Sequence, residues 1–289
     1  MFVVDLSSRN RGDVLNSTMP TTREQQGLAP LASLVSLQGK TALVTGGAAG
    51  IGKAIAYRLA EAGANLILVD RSEQGLVDAK AELSAWGRRI DTYVVDLGDK
   101  QAIDRLWETL ADDPPDILVN NAGTYPAKPY GEVDGEHYRQ VMAVNLDAVF
   151  WMCQGLINKR AGKGGVIVNV GSIEAVMPFK DDMAAYSAAK SAVITLTRAI
   201  AGGYAKHGFR ANVVVPGGVD TPGTRGVAKE IFKGRFGLLK VGYDFLQRLP
   251  ARRRGHPDDI ARVVLFMACD LSSYMHGAAV PVDGGFLSK

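Results

Sequence analysis

Residues 41–52 read TALVTGGAAGIG, an apolar run that leads directly into a glycine-rich turn. The apolar part predicts a buried strand over residues 41–45, and the helical spacing of the apolar residues that follow predicts a helix. Glycines between a strand and a helix let backbone N–H groups at the helix N-terminus approach a phosphate with no Cβ in the way. The spacing Gly46, Gly50, Gly52 differs from the common G-x-G-x-x-G pattern, so a dinucleotide site needs support from the neighbouring segments.

A carboxylate follows the second apolar run, which predicts a strand over residues 65–69. Asp70 stands 18 residues past Gly52, where dinucleotide-binding folds place the acidic residue that binds the adenosine ribose hydroxyls. A 2′-phosphate beside this carboxylate would be repelled by roughly 1–4 kcal/mol. The sequence therefore favours NAD over NADP, and Arg71 is the residue that could turn toward a 2′-phosphate instead.

Strands and helices alternate along the rest of the chain. Further apolar runs that predict strands occur at residues 92–96, 117–119, 166–170, 211–215 and 279–282. Such alternation with helices requires a parallel sheet covered on both faces, which predicts an α/β fold of the doubly wound, Rossmann type with three layers. Ligands of this fold bind at the carboxyl ends of the strands, where Asp96, Asn120 and Gly123 fall, and Asp96 suits the adenine amino group.

Composition and charge limit the class of protein. The chain has 289 residues, 47% of them hydrophobic, and a formal net charge of +3, which predicts a large core and no nucleic-acid partner. The three arginines at residues 252–254 are interpreted as an exposed turn. Cys153 and Cys269 lie in apolar helical runs, which predicts buried thiols, no disulfide, no metal and a reducing, cytoplasmic location. No run of apolar residues approaches the ~18 that a membrane span needs.

Residues 1–36 are predicted to form a flexible tail, and residues 37–289 a single domain. Residues 1–27 are polar and lack the apolar core of a secretory signal. An organellar presequence is the alternative, but such sequences are poor in acids and this segment carries three carboxylates. Leucines at every third position over residues 28–37 could form a short amphipathic arm.

Tyr186 and Lys190 lie four residues apart in residues 184–205, a proline-free segment with helical spacing. On a helix their side chains share one face, so the Lys190 ammonium can favour the ionised form of the phenol. The pair is a candidate proton donor and acceptor. The alternative is a tyrosine that packs and a lysine whose charge reaches the solvent.

Several motifs occur in a fixed order. They are Thr45-Gly46-(x)3-Gly50-x-Gly52, Asn120-Asn121-Ala122-Gly123, Asn145, Ser172, Tyr186-(x)3-Lys190 and Pro216-Gly217. With these motifs the chain resembles the short-chain dehydrogenase/reductase family over about residues 37–285. The resemblance implies a hydride passed between the nicotinamide of NAD(H) and the carbon of a small secondary alcohol or ketone.

The resemblance also implies roles for single residues. Tyr186 would be the general acid/base, Lys190 would hold the nicotinamide ribose and lower the pKa of Tyr186, Ser172 would hydrogen-bond the substrate oxygen, and Asn145 would anchor a water in the proton path. The residues that it implies for cofactor binding are Gly46, Gly50, Ile51, Gly52, Asp70, Arg71, Asp96, Leu97, Asn121, Gly123, Tyr186, Lys190, Pro216, Gly217, Val219 and Thr221. A plain turn residue is the alternative for Thr221.

The loop after Ser172 holds the candidate substrate contacts, which are Ser172 itself, Glu174 and Phe179. An exposed Glu174, or one paired with Lys180, is the alternative. The interval from Ser172 to Tyr186 is 14 residues, one longer than is usual in the family, so we expect this loop to be locally unusual.

The resemblance further implies a helical substrate lid and a homo-oligomer. Residues 222–249 correspond to the lid and carry apolar and aromatic side chains among basic ones. A homotetramer would be joined through the helices that begin near Tyr138 and Ala184 and through the last strand. A non-catalytic, NAD-binding redox sensor or scaffold is the alternative function, but it would not need the full catalytic set.

Overall fold

The computed structural model describes residues 28–224 and 249–288. The predicted flexible tail falls mainly on residues 1–27, and the predicted lid mainly on residues 225–248. Both of these segments lie outside the described residues.

The chain divides into the units Met1–Leu34 and Val35–Lys289. In the first unit, residues 28–34 are described and contain most of the short helix α1, Leu31–Val35. In the second unit, the side chain of Leu37 is buried.

The second unit alternates strands and helices. Its strands are β1 Thr41–Thr45, β2 Asn65–Asp70, β3 Ile90–Val94, β4 Ile117–Asn120, β5 Gly165–Val170, β6 Phe209–Pro216 and β7 Ala279–Val282. Its described helices are α2 Gly50–Glu61, α3 Glu73–Leu83, α4 Lys100–Thr109, α5 Gly135–Met142, α6 Ala148–Lys159, α7 Ala184–Tyr204 and α8 Pro257–Ala268. The π-helical segment Ala143–Asp147 joins α5 to α6.

The strands form one sheet in which neighbours pair in parallel, in the order β3-β2-β1-β4-β5-β6-β7. The chain builds outward from β1 in one direction and from β4 in the other, so a crevice opens beyond the carboxyl ends of these two strands. This is the doubly wound, Rossmann-type sheet that the sequence predicts.

Apolar side chains cover both faces of the sheet, which explains why its strands read as continuous apolar runs. In β1, Val44 joins the core on the face of α2, α3 and α8, whereas Leu43 joins the core on the face of α4, α6 and α7. Ile55 and Val264 come from helices on the first face, and Met152 from a helix on the second. The predicted three-layer arrangement is confirmed.

Within residues 28–224 and 249–288, one helical run is long and apolar enough to cross a membrane by length and hydropathy alone. It is Gly135–Lys159, and its mean hydropathy passes although charged residues such as Asp147 interrupt the run. Val141, Val149 and Met152 of this run are buried in the domain. A buried core helix passes the same test, so the run is weak evidence for a membrane span.

A buried polar chain ties α7 to the centre of the sheet. The Nδ2 of Asn120 donates to the Oδ1 of Asn169 at 2.8 Å, and the Nδ2 of Asn169 donates to the Oγ1 of Thr197 at 2.9 Å. Asn120 Nδ2 also contacts the buried Cys153 Sγ at 3.3 Å, and burial raises the pKa of this thiol to about 12. Cys269 is buried as well, so both thiols are as predicted. Because hydrogen-bonded polar side chains in a core hold a defined geometry, this hydrogen-bonded series fixes the position of α7 on the sheet.

Candidate active site

The turn between β1 and α2 folds back on itself. Gly46 and Gly50 adopt positive φ angles of 66° and 56°, which residues with a side chain rarely adopt. A Cβ on Gly52 would lie 2.0 Å from the carbonyl oxygen of Gly46. The half-buried Ile51 lies in the same first turn of α2. The backbone at this helix N-terminus therefore forms a cradle of the kind that holds a pyrophosphate.

Asp70 ends β2 beside the glycine turn. Its Oδ2 accepts a hydrogen bond from Ala48 N at 3.1 Å, and its Oδ1 accepts one from Ser72 N at 3.0 Å. Asp70 is half-buried, whereas Arg71 is exposed. The structure thus ties the carboxylate to the turn that would hold the pyrophosphate.

Asp96 lies beyond the end of its strand. The predicted strand over residues 92–96 was placed two residues too late, since β3 spans Ile90–Val94. The reason is local, because Asp96 Oδ1 accepts a hydrogen bond from Gly98 N at 2.8 Å and turns the chain. Asp96 is exposed and Leu97 is buried.

Asn121 joins the ends of β1 and β4. Its Nδ2 donates to the carbonyl oxygens of Thr45 at 3.0 Å and Gly46 at 3.3 Å. Thr45 Oγ1 accepts in turn from the backbone N–H groups of Asn121 at 2.9 Å and Ala122 at 3.1 Å. Asn121 therefore holds the glycine turn in place, and Thr45, which the sequence analysis quoted only within a motif, shares this positioning role.

The loop after β6 lies next to the glycine turn. Pro216 is the last residue of β6, and Gly217 N donates to Val282 O at 3.1 Å. A Cβ on Gly50 would lie 3.4 Å from the Cβ of Thr221. The residues predicted to bind the two ends of a dinucleotide are thus close together.

Thr221 also stabilises a local turn. Its Oγ1 accepts a hydrogen bond from Thr224 N at 3.2 Å, and Thr224 Oγ1 donates to the carbonyl oxygen of the buried Val219 at 3.1 Å. The alternative of a turn residue therefore describes part of what Thr221 does.

Asn145 lies fully buried in the π-helical segment, which the sequence analysis predicted as ordinary helix. Its Nδ2 donates to the carbonyl oxygens of Thr124 at 2.7 Å and Val141 at 2.9 Å, and its Oδ1 accepts from Thr124 N at 3.3 Å. A Cβ on Gly123 would lie 2.9 Å from Asn145 Oδ1 and 3.7 Å from Lys190 Nζ. The structure therefore brings Asn145, Gly123 and Lys190 together.

Ser172 and Tyr186 meet beyond the carboxyl end of β5. Burial raises the pKa of Tyr186 to about 12, although a hydrogen bond with the Ser172 hydroxyl lowers it. The charge of Glu174 adds to the increase. This direction is opposite to the lowering predicted from Lys190, because the loss of water around the phenol outweighs the groups that favour its ionised form.

Lys190 lies on the same face of α7 as Tyr186, with its Nζ 5.8 Å from the centroid of the Tyr186 ring. The side chain is only 3% exposed, and Nζ donates to the carbonyl oxygen of Val170 at 2.8 Å. Burial lowers the pKa of Lys190 to about 8. The alternative of a lysine whose charge reaches the solvent is therefore wrong.

Tyr125 is a neighbour of the site that sequence reasoning missed. Its ring packs edge-on against Tyr186 with 6.2 Å between the centroids. Burial raises the pKa of Tyr125, and a hydrogen bond with Thr221 lowers it. Its place two residues after Gly123, at the carboxyl edge of the sheet, was the signal that could have found it.

Glu174 is buried beside Ser172 and Tyr186. Only 4% of the residue is exposed, and its Oε2 accepts hydrogen bonds from Phe179 N at 3.2 Å and Ser187 Oγ at 3.3 Å. Burial raises the pKa of Glu174, and these hydrogen bonds and the charge of Lys180 lower it. The alternative of an exposed Glu174 is wrong.

Comparisons with known proteins identify the family. A family model described as enoyl-(acyl carrier protein) reductase matches residues 46–287. The 3beta-hydroxysteroid dehydrogenase 2 of Eggerthella lenta is 34% identical over 265 residues, which cover 86% of this chain and 95% of that protein. The chain belongs to the short-chain dehydrogenase/reductase family. The L-tagatose-forming galactitol 2-dehydrogenase of Cereibacter sphaeroides is 38% identical over 255 residues, which cover 86% of this short-chain dehydrogenase/reductase and 96% of that protein.

The solved structure of L-sorbose reductase from Gluconobacter frateurii, with NADPH and L-sorbose, has the same fold. It superposes with a TM-score of 0.82 at 31% identity, covering 89% of this chain and 99% of the other. Membership of the short-chain dehydrogenase/reductase family supports a hydride-transferring oxidoreductase that acts on a small alcohol or carbonyl compound. The glycine cradle, the adjacent Asp70 and the loop at Thr221 fit a dinucleotide.

Proposed function

We propose that this short-chain dehydrogenase/reductase transfers a hydride between NAD(H) and a secondary alcohol or ketone. The observation that carries the proposal is the meeting of Tyr186 with Ser172, and of Lys190 with Asn145, beside the glycine cradle. A phenol, a hydroxyl and a buried amine at one sheet edge can hold a carbinol oxygen and move its proton. A binding protein without catalysis has no use for this set.

Tyr186 acts as the general acid/base. In alcohol oxidation its phenolate accepts the hydroxyl proton, and in ketone reduction its phenol donates a proton to the carbonyl oxygen. Ser172 Oγ hydrogen-bonds the same substrate oxygen. Since acid–base catalysis is most efficient near the working pH, the pKa of about 12 has to fall when the site is loaded. When bound, the oxidised cofactor would take up the hydride from the carbinol carbon, and its positive ring would favour the phenolate form of Tyr186.

Lys190 binds the cofactor, and Asn145 holds a water in the path of the proton. Lys190 Nζ holds the hydroxyls of the nicotinamide ribose, since a buried amine gains from additional acceptors. Asn145 anchors a water through its Oδ1, which lies beside Gly123 and Lys190. The proton then passes from Tyr186 toward the solvent past Lys190.

Asp70 selects NAD over NADP. Its carboxylate accepts hydrogen bonds from the adenosine ribose hydroxyls, and a 2′-phosphate at this position would face it within a few Å. The fold neighbour L-sorbose reductase holds NADPH, so Arg71 is the residue of this chain that would serve a 2′-phosphate. The other predicted cofactor contacts complete the cradle and the loop after β6.

Residues 37–289 act as one catalytic domain in a cytoplasmic homotetramer, with residues 222–249 as the substrate lid. Exposed aromatic side chains on the proposed interface helices support the assembly, with 48% of Tyr138, 42% of Phe150 and 39% of Tyr204 accessible. By their names, the relatives act on a 3β-hydroxysteroid and on galactitol, which are both secondary alcohols.

Formation of NADH with a panel of secondary alcohols, polyols, sugar acids and hydroxysteroids tests the proposal. Tyr186→Phe should lower kcat by about 10²–10⁴-fold while dinucleotide binding persists, because only the positioned proton donor is removed. Tyr125→Phe is the matched control and should lose much less. A Tyr186→Phe enzyme with half the wild-type rate would refute the mechanism.

A further inference from the structure

Glu174 sits between two residues of the proposed proton-transfer site. It belongs to the short 3-10 turn Ile173–Ala175, and its backbone N–H donates to Ser172 Oγ at 3.2 Å. Its carboxylate reaches Ser187, the residue after Tyr186 on α7. These two contacts place Glu174 between Ser172 and the first turn of α7, which carries Tyr186.

The two oxygens of this carboxylate have different surroundings. Oε2 accepts hydrogen bonds from Phe179 N and Ser187 Oγ. Oε1 is buried and has no hydrogen-bond partner within residues 28–224 and 249–288. Buried carboxylate oxygens normally accept hydrogen bonds, since an unpaired one has lost its water without replacement. Oε1 is therefore a buried acceptor left unpaired by the described residues.

The loop that carries Glu174 is fastened on both sides. Ser191 Oγ donates to Ala175 O at 2.8 Å, which ties the loop to α7. The Phe179 ring packs against Phe286 near the C-terminus, with 5.0 Å between the centroids. Because the carboxylate is held by its surroundings, Oε1 can impose a fixed geometry on a donor.

We propose that Glu174 Oε1 accepts a hydrogen bond from a second hydroxyl of the substrate, next to the carbinol that Tyr186 and Ser172 hold, and so selects vicinal diols and polyols over mono-alcohols. The inference rests on the function proposed above. A site built to bind a hydroxyl discriminates strongly against the analogue that lacks it, because its own buried polar atom is then left unpaired. A mono-alcohol would leave Oε1 in that state.

The competing interpretation is that Glu174 only fastens the loop. Its Oε2 already does so, and a purely structural role would affect every substrate equally. The two interpretations therefore differ in the ratio of activities on matched substrates, whereas the absolute activity does not separate them.

The test compares kcat/KM on matched pairs, 2-butanol with 2,3-butanediol and cyclohexanol with 1,2-cyclohexanediol. Glu174→Gln keeps a carbonyl oxygen for Phe179 N and Ser187 Oγ but replaces Oε1 by a donor. It should lower kcat/KM on the diols at least about ten-fold more than on the mono-alcohols. Ser187→Ala, the control, weakens the fastening and should leave the ratio between diol and mono-alcohol as it is in the wild type.

Every other outcome contradicts either the selection by Glu174 or the proposed function. Equal losses on both members of each pair with Glu174→Gln, or a wild type that prefers the mono-alcohols, would overturn the selection by Glu174 and leave the proposed function intact. Loss of diol preference in Ser187→Ala as well would assign the effect to the loop and overturn the role of Oε1. Absence of any turnover by the wild type on these pairs and on the wider panel would overturn the proposed function itself, and this inference with it.

Discussion

The Nζ of Lys190 lies 5.8 Å from the centroid of the Tyr186 ring, and the side chain of Lys190 is only 3% exposed. Burial acts on the pair in opposite directions. It raises the pKa of Tyr186 to about 12 and lowers the pKa of Lys190 to about 8, so it disfavours the charged form of each group. The protein alone therefore holds a neutral phenol, and a phenolate needs additional positive charge in the site.

We predict that Tyr186 stays protonated up to at least about pH 10 in the protein without NAD, because its pKa lies above the ordinary tyrosine value of about 10. The ultraviolet absorbance of tyrosinate, measured as wild type minus Tyr186→Phe, isolates this residue from the other eight of the nine tyrosines. Saturating NAD should lower the midpoint, since a positive ring favours the phenolate. A phenolate at neutral pH without NAD would contradict this account.

Lys190→Met should abolish activity and stabilise the fold. The difference between the ordinary lysine pKa of 10.5 and about 8 corresponds to roughly 3 kcal/mol against the buried charge. The lost hydrogen bond to Val170 O offsets about 1–2 kcal/mol of this. Urea unfolding at neutral pH should therefore show a gain of about 1–2 kcal/mol for the variant.

The pH dependence of the free energy of unfolding tests whether the buried charge of Lys190 destabilises the fold. The unfolded chain keeps the Lys190 proton up to its ordinary pKa of 10.5, whereas the folded protein releases it near pH 8. The wild type should therefore gain stability between these values as pH rises, and the advantage of the variant should shrink or reverse. The exposed Lys206 provides the control, since Lys206→Met keeps Lys190 and should show the same pH-dependent gain as the wild type. A Lys190→Met variant less stable than the wild type at neutral pH would disprove the unfavourable free energy assigned to the buried charge.

Asp70→Asn should raise the ratio of kcat/KM for NADP over NAD by about 5–150-fold, equivalent to about 1–3 kcal/mol. The amide removes the negative charge that would repel a 2′-phosphate. It keeps an oxygen that can accept from the backbone N–H of Ala48 or Ser72, so the glycine turn should hold. Steady-state kinetics with both cofactors measures the ratio.

Arg71→Ala serves as the control for cofactor choice. If Asp70 decides the choice, this exposed residue should matter little for NAD. A wild type that prefers NADP, together with a loss of that preference in Arg71→Ala, would refute the assignment to Asp70 and transfer it to Arg71.

The fold followed from local patterns in the sequence. Apolar runs covered on both faces have to be buried strands of a parallel sheet, and the glycines at 46 and 52 stand where backbone approaches backbone. Strand β3 was predicted two residues too late in the sequence, because the hydrogen bond between the Asp96 side chain and Gly98 N turns the chain after the strand and apolar composition does not reveal it. The π-helical segment at Asn145 was missed for the same kind of reason, since its residues fit an ordinary helix equally well.

The sequence by itself determined the order of the elements, the family resemblance and the edge of the sheet at which Asn145, Ser172, Tyr186 and Lys190 would gather. Because parallel strands end at a common edge, the sequence placed Ser172 there after its strand, and the family resemblance implied that the other three residues join it. Only the tertiary structure decided the direction of the Tyr186 pKa, the burial of Glu174 and the position of Tyr125. Desolvation is the sum over all atoms packed around a group, and those atoms come from elements far apart in the sequence.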